Sequence, residues 1–120
     1  MRKLAFLFCL LAWPAAAQVT IQPGQRTSIP VSGTITLGNT FQSVLAADSN
    51  RTACAIQNTG THTMYFYLGA TASATTSNSL QVAPLGWFYC SNQGGTIVAT
   101  DNIAITTSTT SDTFAGFYQH

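Results

Sequence analysis

Beyond residue 17, no window of the chain repeats apolar residues at helical spacing. Short runs of alternating apolar and polar residues are instead cut, again and again, by Gly, Pro, Asn and Asp. A period of two puts successive side chains on opposite faces, so each run reads as a half-buried strand and each cut as a turn. Ser28 to Leu37 alternates Ile29, Val31, Ile35 and Leu37 around Ser and Thr, with Gly33 read as a bulge. Phe41 to Ala47 is a further strand, and Asp48-Ser49-Asn50 a turn. Thr52 to Gln57 and Thr63 to Gly69 flank Asn58-Thr59-Gly60-Thr61 and predict a hairpin. Ala70 to Asn78 is a small-residue loop, and Leu80 to Val82, Trp87 to Cys90, Thr96 to Ala99, Ile103 to Thr107 and Thr113 to Tyr118 complete the strands. Val19 to Ile21, ended by Pro23-Gly24, is an extended arm ahead of them. The expected fold is all-β: a single antiparallel β-sandwich, jelly-roll-like, of about eight short strands, spanning residues 18–120.

Composition narrows what such a sandwich can do. Residues 18–120 carry Arg26, Arg51, Asp48, Asp101 and Asp112 as their only charged side chains and contain neither Lys nor Glu. A basic footprint for nucleic acid is therefore missing, and no nucleic-acid partner is expected. Thr, Ser, Asn and Gln make up 43 of these 103 residues, which predicts a hydroxyl- and amide-rich surface.

The N-terminus reads as an export signal covering residues 1–17. Arg2 and Lys3 precede an apolar run from Leu4 to Trp13, and Pro14-Ala15-Ala16-Ala17 supplies the small residues of a cleavage site, so the mature chain is expected to begin at Gln18. The run is half the roughly 20 residues a membrane span needs, so no transmembrane anchor is expected. Cys9 falls inside it. Cys54 and Cys90 remain, an even pair in a chain sent to an oxidising compartment, and read as one disulfide rather than as two buried free thiols. The location expected is outside the cytoplasm: periplasm, cell surface or extracellular space.

Candidates for chemistry are few. Asp48, Asp101 and Asp112 each fall in an expected turn, where a carboxylate bonds nearby backbone N–H groups. His62 lies at the tip of the expected hairpin and His120 is the last residue, so neither is expected to be held as a catalytic imidazole or a ligand would be. No catalytic residue, no metal and no cofactor are expected. Asn50-Arg51-Thr52 fits a glycosylation sequon, though a turn residue before a strand explains Asn50 equally well. The aromatic residues are more informative. If Cys54 and Cys90 point inward, parity puts Ile56 and Phe88 inside and Trp87 and Tyr89 outside, while Met64, Phe66 and Leu68 inside leave Tyr65 and Tyr67 outside. Tyr65, Tyr67, Trp87 and Tyr89 are the candidate binding patch, since exposed flat rings stack on sugars or anchor subunit contacts. The competing reading is that these strands are buried on both faces or covered by the 70–78 loop.

The stretch Arg51-Thr52-Ala53-Cys54-Ala55-Ile56-Gln57-Asn58-Thr59-Gly60, followed by Gly69, by Leu80 with Pro84 and Gly86, and by Gly95-Thr96-Ile97, resembles small β-rich accessory proteins encoded among tailed-phage and prophage structural genes. The resemblance implies a non-catalytic virion accessory or receptor-facing module. An export signal does not suit a virion part assembled in the cytoplasm, so the same module sent to the periplasm or cell surface fits better. The function expected is that of a non-enzymatic, exported binding or assembly module, structural or surface-attaching. Its partners would be itself, another surface protein or, in the alternative of a carbohydrate-binding module, a glycan.

Overall fold

The computed structural model describes residues 27–90 and 100–120. The expected leader, the arm at residues 19–21 and the strand at 96–99 lie outside them. Eight strands follow in chain order: β1 (Ser28–Thr34), β2 (Gln42–Leu45), β3 (Ala53–Asn58), β4 (Met64–Leu68), β5 (Leu80–Val82), β6 (Trp87–Tyr89), β7 (Ile103–Thr106) and β8 (Thr113–Gln119). They form two four-stranded sheets, β1-β8-β3-β6 and β2-β7-β4-β5, and every paired neighbour is antiparallel. Among the eight, only β4 and β5 follow one another within a sheet; every other connection crosses between the sheets. That order is the jelly roll, so the expected all-β sandwich is what forms. Two short 3-10 turns, Thr71–Ser73 and Thr76–Asn78, occupy the small-residue loop.

The core lies between the sheets and follows the expected parity. Cys54, Ile56, Phe88 and Phe114 from the first sheet meet Met64, Phe66, Ile103 and Ile105 from the second. At its centre the Phe66 and Phe88 rings stack with centroids 4.6 Å apart and planes 15° from parallel. Cys54 and Cys90 are bonded, their Cα atoms 5.1 Å apart, tying β6 to β3.

Two local expectations are corrected. The 52–57 and 63–69 runs are strands, but they do not pair as a hairpin: β3 lies between β8 and β6 in one sheet, β4 between β7 and β5 in the other. The buried Asn58 makes this arch. Its N–H bonds the Gly86 carbonyl at 3.0 Å, while its side-chain amide donates to His62 O at 2.8 Å and Val82 O at 3.0 Å, so the chain is handed from one sheet to the other. Gly33 is not a bulge either, because β1 stays in regular register with β8 through Gly33 and Phe114. A Cβ at Gly33 would come 2.9 Å from Phe114 Cζ, so the residue is small to admit that ring. The irregularity is in β2, between Ser43 and Leu45.

Candidate functional site

Strand parity divides the expected aromatic patch. Trp87 and Tyr89 flank the inward Phe88 and so lie on the outer face of the first sheet, whereas Tyr65 and Tyr67 flank the inward Phe66 and lie on the outer face of the second. The two pairs are on opposite sides of the sandwich and cannot make one surface. A sequence reading could not see this, because it depends on β3 and β4 belonging to different sheets.

The two faces also use their rings differently. In the second sheet, the middle strand β7 turns Ala104 and Thr106 outward, and both are buried. Tyr65 pairs with Thr106 and Tyr67 with Ala104. Phe41, next to β2 on the other side of β7, meets the Tyr67 ring edge-on at 6.5 Å. These half-buried rings roof over the small side chains of their own sheet. Trp87 and Tyr89, on the edge strand β6, remain 44% and 53% exposed, with ring centroids 6.1 Å apart and planes 18° from parallel.

A third ring, absent from the sequence-based set, joins them. Ala55 pairs with Tyr89 on one side and with Phe117 on the other, and Phe117 pairs in turn with Pro30. All four share the outer face, and Phe117 is 41% exposed. The row below it reads Trp87, Gln57, Ala115 and Ser32. Tyr89 and Phe117 therefore stand two strands apart, about 10 Å at ordinary strand spacing, across the small Ala55, with amide and hydroxyl groups beside them. Parity within Thr113 to Tyr118 could have flagged Phe117, since it is opposite to the buried Phe114. Leu85, two residues before Trp87, is 70% exposed and sits at φ 63°, a left-handed conformation that disfavours a branched apolar side chain.

The expectation that neither histidine is held is also corrected. His62 Nδ1 lies 3.0 Å from Asp112 Oδ2 and 3.0 Å from Thr109 Oγ1. Asp112 is buried, and its carboxylate accepts from the Thr61 N–H at 3.0 Å and the Thr109 hydroxyl at 2.8 Å. Burial alone would raise its pKa; the Thr61 N–H, the Thr109 and Thr107 hydroxyls and His62 outweigh it and hold the carboxyl down at about 2. Gly60 permits this approach, since a Cβ there would meet Asp112 Oδ1 at 2.6 Å. Asp112 thus fastens the β3–β4 arch to the segment before β8. At the opposite end, His120 Nδ1 is 2.9 Å from Asp48 Oδ2, and the Asn50 N–H donates to Asp48 Oδ1 at 2.9 Å. That backbone bond, with His120 and Arg51, lowers the Asp48 pKa against a smaller desolvation effect. Asp48 bonds a backbone N–H of its own turn, as expected, whereas Asp112 takes its backbone N–H from Thr61 on the distant arch. Asp101 instead lends its backbone carbonyl to Arg51 Nη1 at 3.0 Å. Arg51 is buried, which the sequence did not foretell.

Among the described residues, no group of three or more His, Cys, Asp or Glu side chains is placed to hold a metal ion, and no helix is long and apolar enough to cross a membrane. Comparison with protein-family models, with curated proteins and with solved structures finds no match to this chain.

Proposed function

We propose that this is a non-enzymatic, exported binding module that attaches to a surface through the outer face of the β1-β8-β3-β6 sheet. The observation that carries the reading is the contrast between the two outer faces: one spends its aromatic rings covering its own strands, the other leaves Trp87, Tyr89 and Phe117 exposed in register. Exposed large rings on a face rich in small and polar residues are what contact surfaces are made from. Leu85, two residues before Trp87 in the chain, adds an exposed apolar side chain kept in a left-handed conformation. The disulfide suits an oxidising compartment.

A glycan is the target this face fits best. Flat rings stack on the C–H faces of sugars, and the flanking Gln57, Ser32 and Gln119 offer donors and acceptors to sugar hydroxyls without any charge. Self-assembly through strand edges is less favoured. Among the described residues, three of the four edge strands have only three or four residues, and the long one, β1, carries Pro30. The Ile35 N–H bonds Asp112 O at 2.8 Å. By alternation along β1, residues 33, 31 and 29 then turn their backbone groups to β8 and residue 30 turns outward. A proline that lacks an N–H therefore sits on the open edge, blunting it.

The deciding experiment retains the mature protein on insoluble polysaccharides and scores Trp87→Ala and Tyr89→Ala beside Tyr65→Ala and Tyr67→Ala. The reading expects the first pair to lose retention and the second pair to keep it. Equal behaviour of all four, or retention untouched by Trp87→Ala with the fold intact, would refute it.

A further inference from the structure

A second recessed site lies where the two sheets part. The edge strands β1 and β2 are on the same side of the sandwich, and near their connection Gln42 laces them together: its Nε2 donates to Thr34 O at 2.9 Å, and its Oε1 accepts from the Thr36 N–H and hydroxyl, each at 2.9 Å. Further along, β2 is only four residues long and irregular between Ser43 and Leu45, and the chain beyond it is drawn away by the Asp48 N–H to Thr100 O bond at 2.8 Å. The edges diverge and leave a cleft of about 460 Å³. Its walls include Val31 and Tyr118 from the first sheet and Val44 and Leu45 from the second, with Asp48 and Arg51 also in the lining.

That size and lining suit a small molecule with an apolar body, held by a few polar groups at one end. The two charged residues do not face a ligand equally. Arg51 donates Nη1 to the Asp101 carbonyl and Nη2 to the Ala46 carbonyl and is 3% exposed, so its guanidinium is engaged by backbone carbonyls, while its charge still acts on Asp48. The Asp48 side chain is 26% exposed, and each oxygen makes one bond, to the Asn50 N–H and to His120, leaving further lone pairs to accept. The Tyr118 ring, perpendicular to the His120 ring with centroids 5.3 Å apart, lines the same cleft.

We propose that this cleft binds a small primary amine, its hydrocarbon part between Val31, Val44, Leu45 and Tyr118 and its ammonium group on the Asp48 carboxylate. The site is independent of the aromatic face, so the two readings stand or fall separately.

The test titrates mature protein at neutral pH with hexylamine, hexanol and hexanoate, followed by amide chemical shifts. Hexylamine should bind saturably, with the shifts centred on Val31, Val44 and Tyr118, and about tenfold more tightly than hexanol, as a charge-assisted hydrogen bond implies. Hexanoate should be the weakest of the three. Asp48→Asn should bring the amine down to the level of the alcohol while leaving the alcohol unchanged. Val44→Phe, which fills the cleft with an apolar ring, should abolish binding of both. Hexanoate binding as well as hexylamine, no saturation by any of the three, or hexylamine binding unaffected by Val44→Phe would overturn the proposal.

Discussion

At the scale of single residues, neighbours along one strand have opposite fates. Phe88 is buried against Phe66, and Trp87 beside it is open to solvent. Phe88→Ala should therefore cost about 3 to 5 kcal/mol of stability through lost burial and the cavity left behind. Trp87→Ala should change the thermal midpoint little, as an exposed truncation does. Thermal melts of the two variants check this, and so does acrylamide quenching. Trp87 is the only tryptophan after residue 17, so fluorescence of a chain comprising residues 18–120 reports on it alone and should be strongly quenched. Asp112 supplies a second residue-scale prediction. Its carboxyl is held at about 2 in the folded protein, below the usual aspartate value of 3.8, so the native state favours the ionised form. The stability this contributes is fully present above the unfolded value and is lost as pH falls towards 2. Asp112→Asn should lower stability by about 1.5 to 3 kcal/mol near neutrality, the range for hydrogen bonds to a charged group. The gap between the two proteins in denaturant midpoint should narrow steadily on acidification below about pH 4.

At the scale of elements, β6 is a three-residue edge strand that must be held in place for its rings to serve as a surface. Three cross-strand pairs with β3 hold it, together with the Cys54–Cys90 bond just beyond them, where Cys90 N–H also donates to Cys54 O at 3.1 Å. The bond joins residues 36 apart in sequence. Replacing both cysteines by Ala should cost roughly 3 to 4 kcal/mol on the loop-closure account. The loss should appear as a lower urea midpoint and as weakened retention by the aromatic face, because β6 is the element released. Titration of unreduced protein comprising residues 18–120 should find no free thiol. The β3–β4 arch shows why strand positions were readable and their pairing was not. Alternation marks which residues of 52–57 and 63–69 go inward, but either arm can bury the same residues beside the other or across from it. The choice was made by Asn58, whose buried amide joins the arch to Val82 and His62, and by Asp112, which arrives from residues far along the chain.

At the scale of the whole molecule, contact area and blunted strand edges favour attachment over self-assembly. A stable interface buries about 800 Å² on each partner, and three rings in two rows fall well short of that on their own. Light scattering on protein comprising residues 18–120 should therefore give the mass of one chain at micromolar concentration, and Trp87→Ala should leave that mass unchanged. With five charged side chains in residues 18–120, neither folding nor attachment should depend much on salt between low and physiological ionic strength. The sequence by itself determined the fold class, the inward set Cys54, Ile56, Phe66 and Phe88, the cysteine pair, and the outward parity of Trp87, Tyr89, Tyr65 and Tyr67. These follow from a period of two and from composition, which are local properties of the chain. Only the tertiary structure decided that the two aromatic pairs lie on opposite faces and that Phe117 rather than a tyrosine completes the exposed row. It alone set His62 on Asp112 and His120 on Asp48, and left the cleft between β1 and β2. Each of these depends on which strands become neighbours, and in a jelly roll most neighbours are distant in sequence, so no spacing along the chain encodes them.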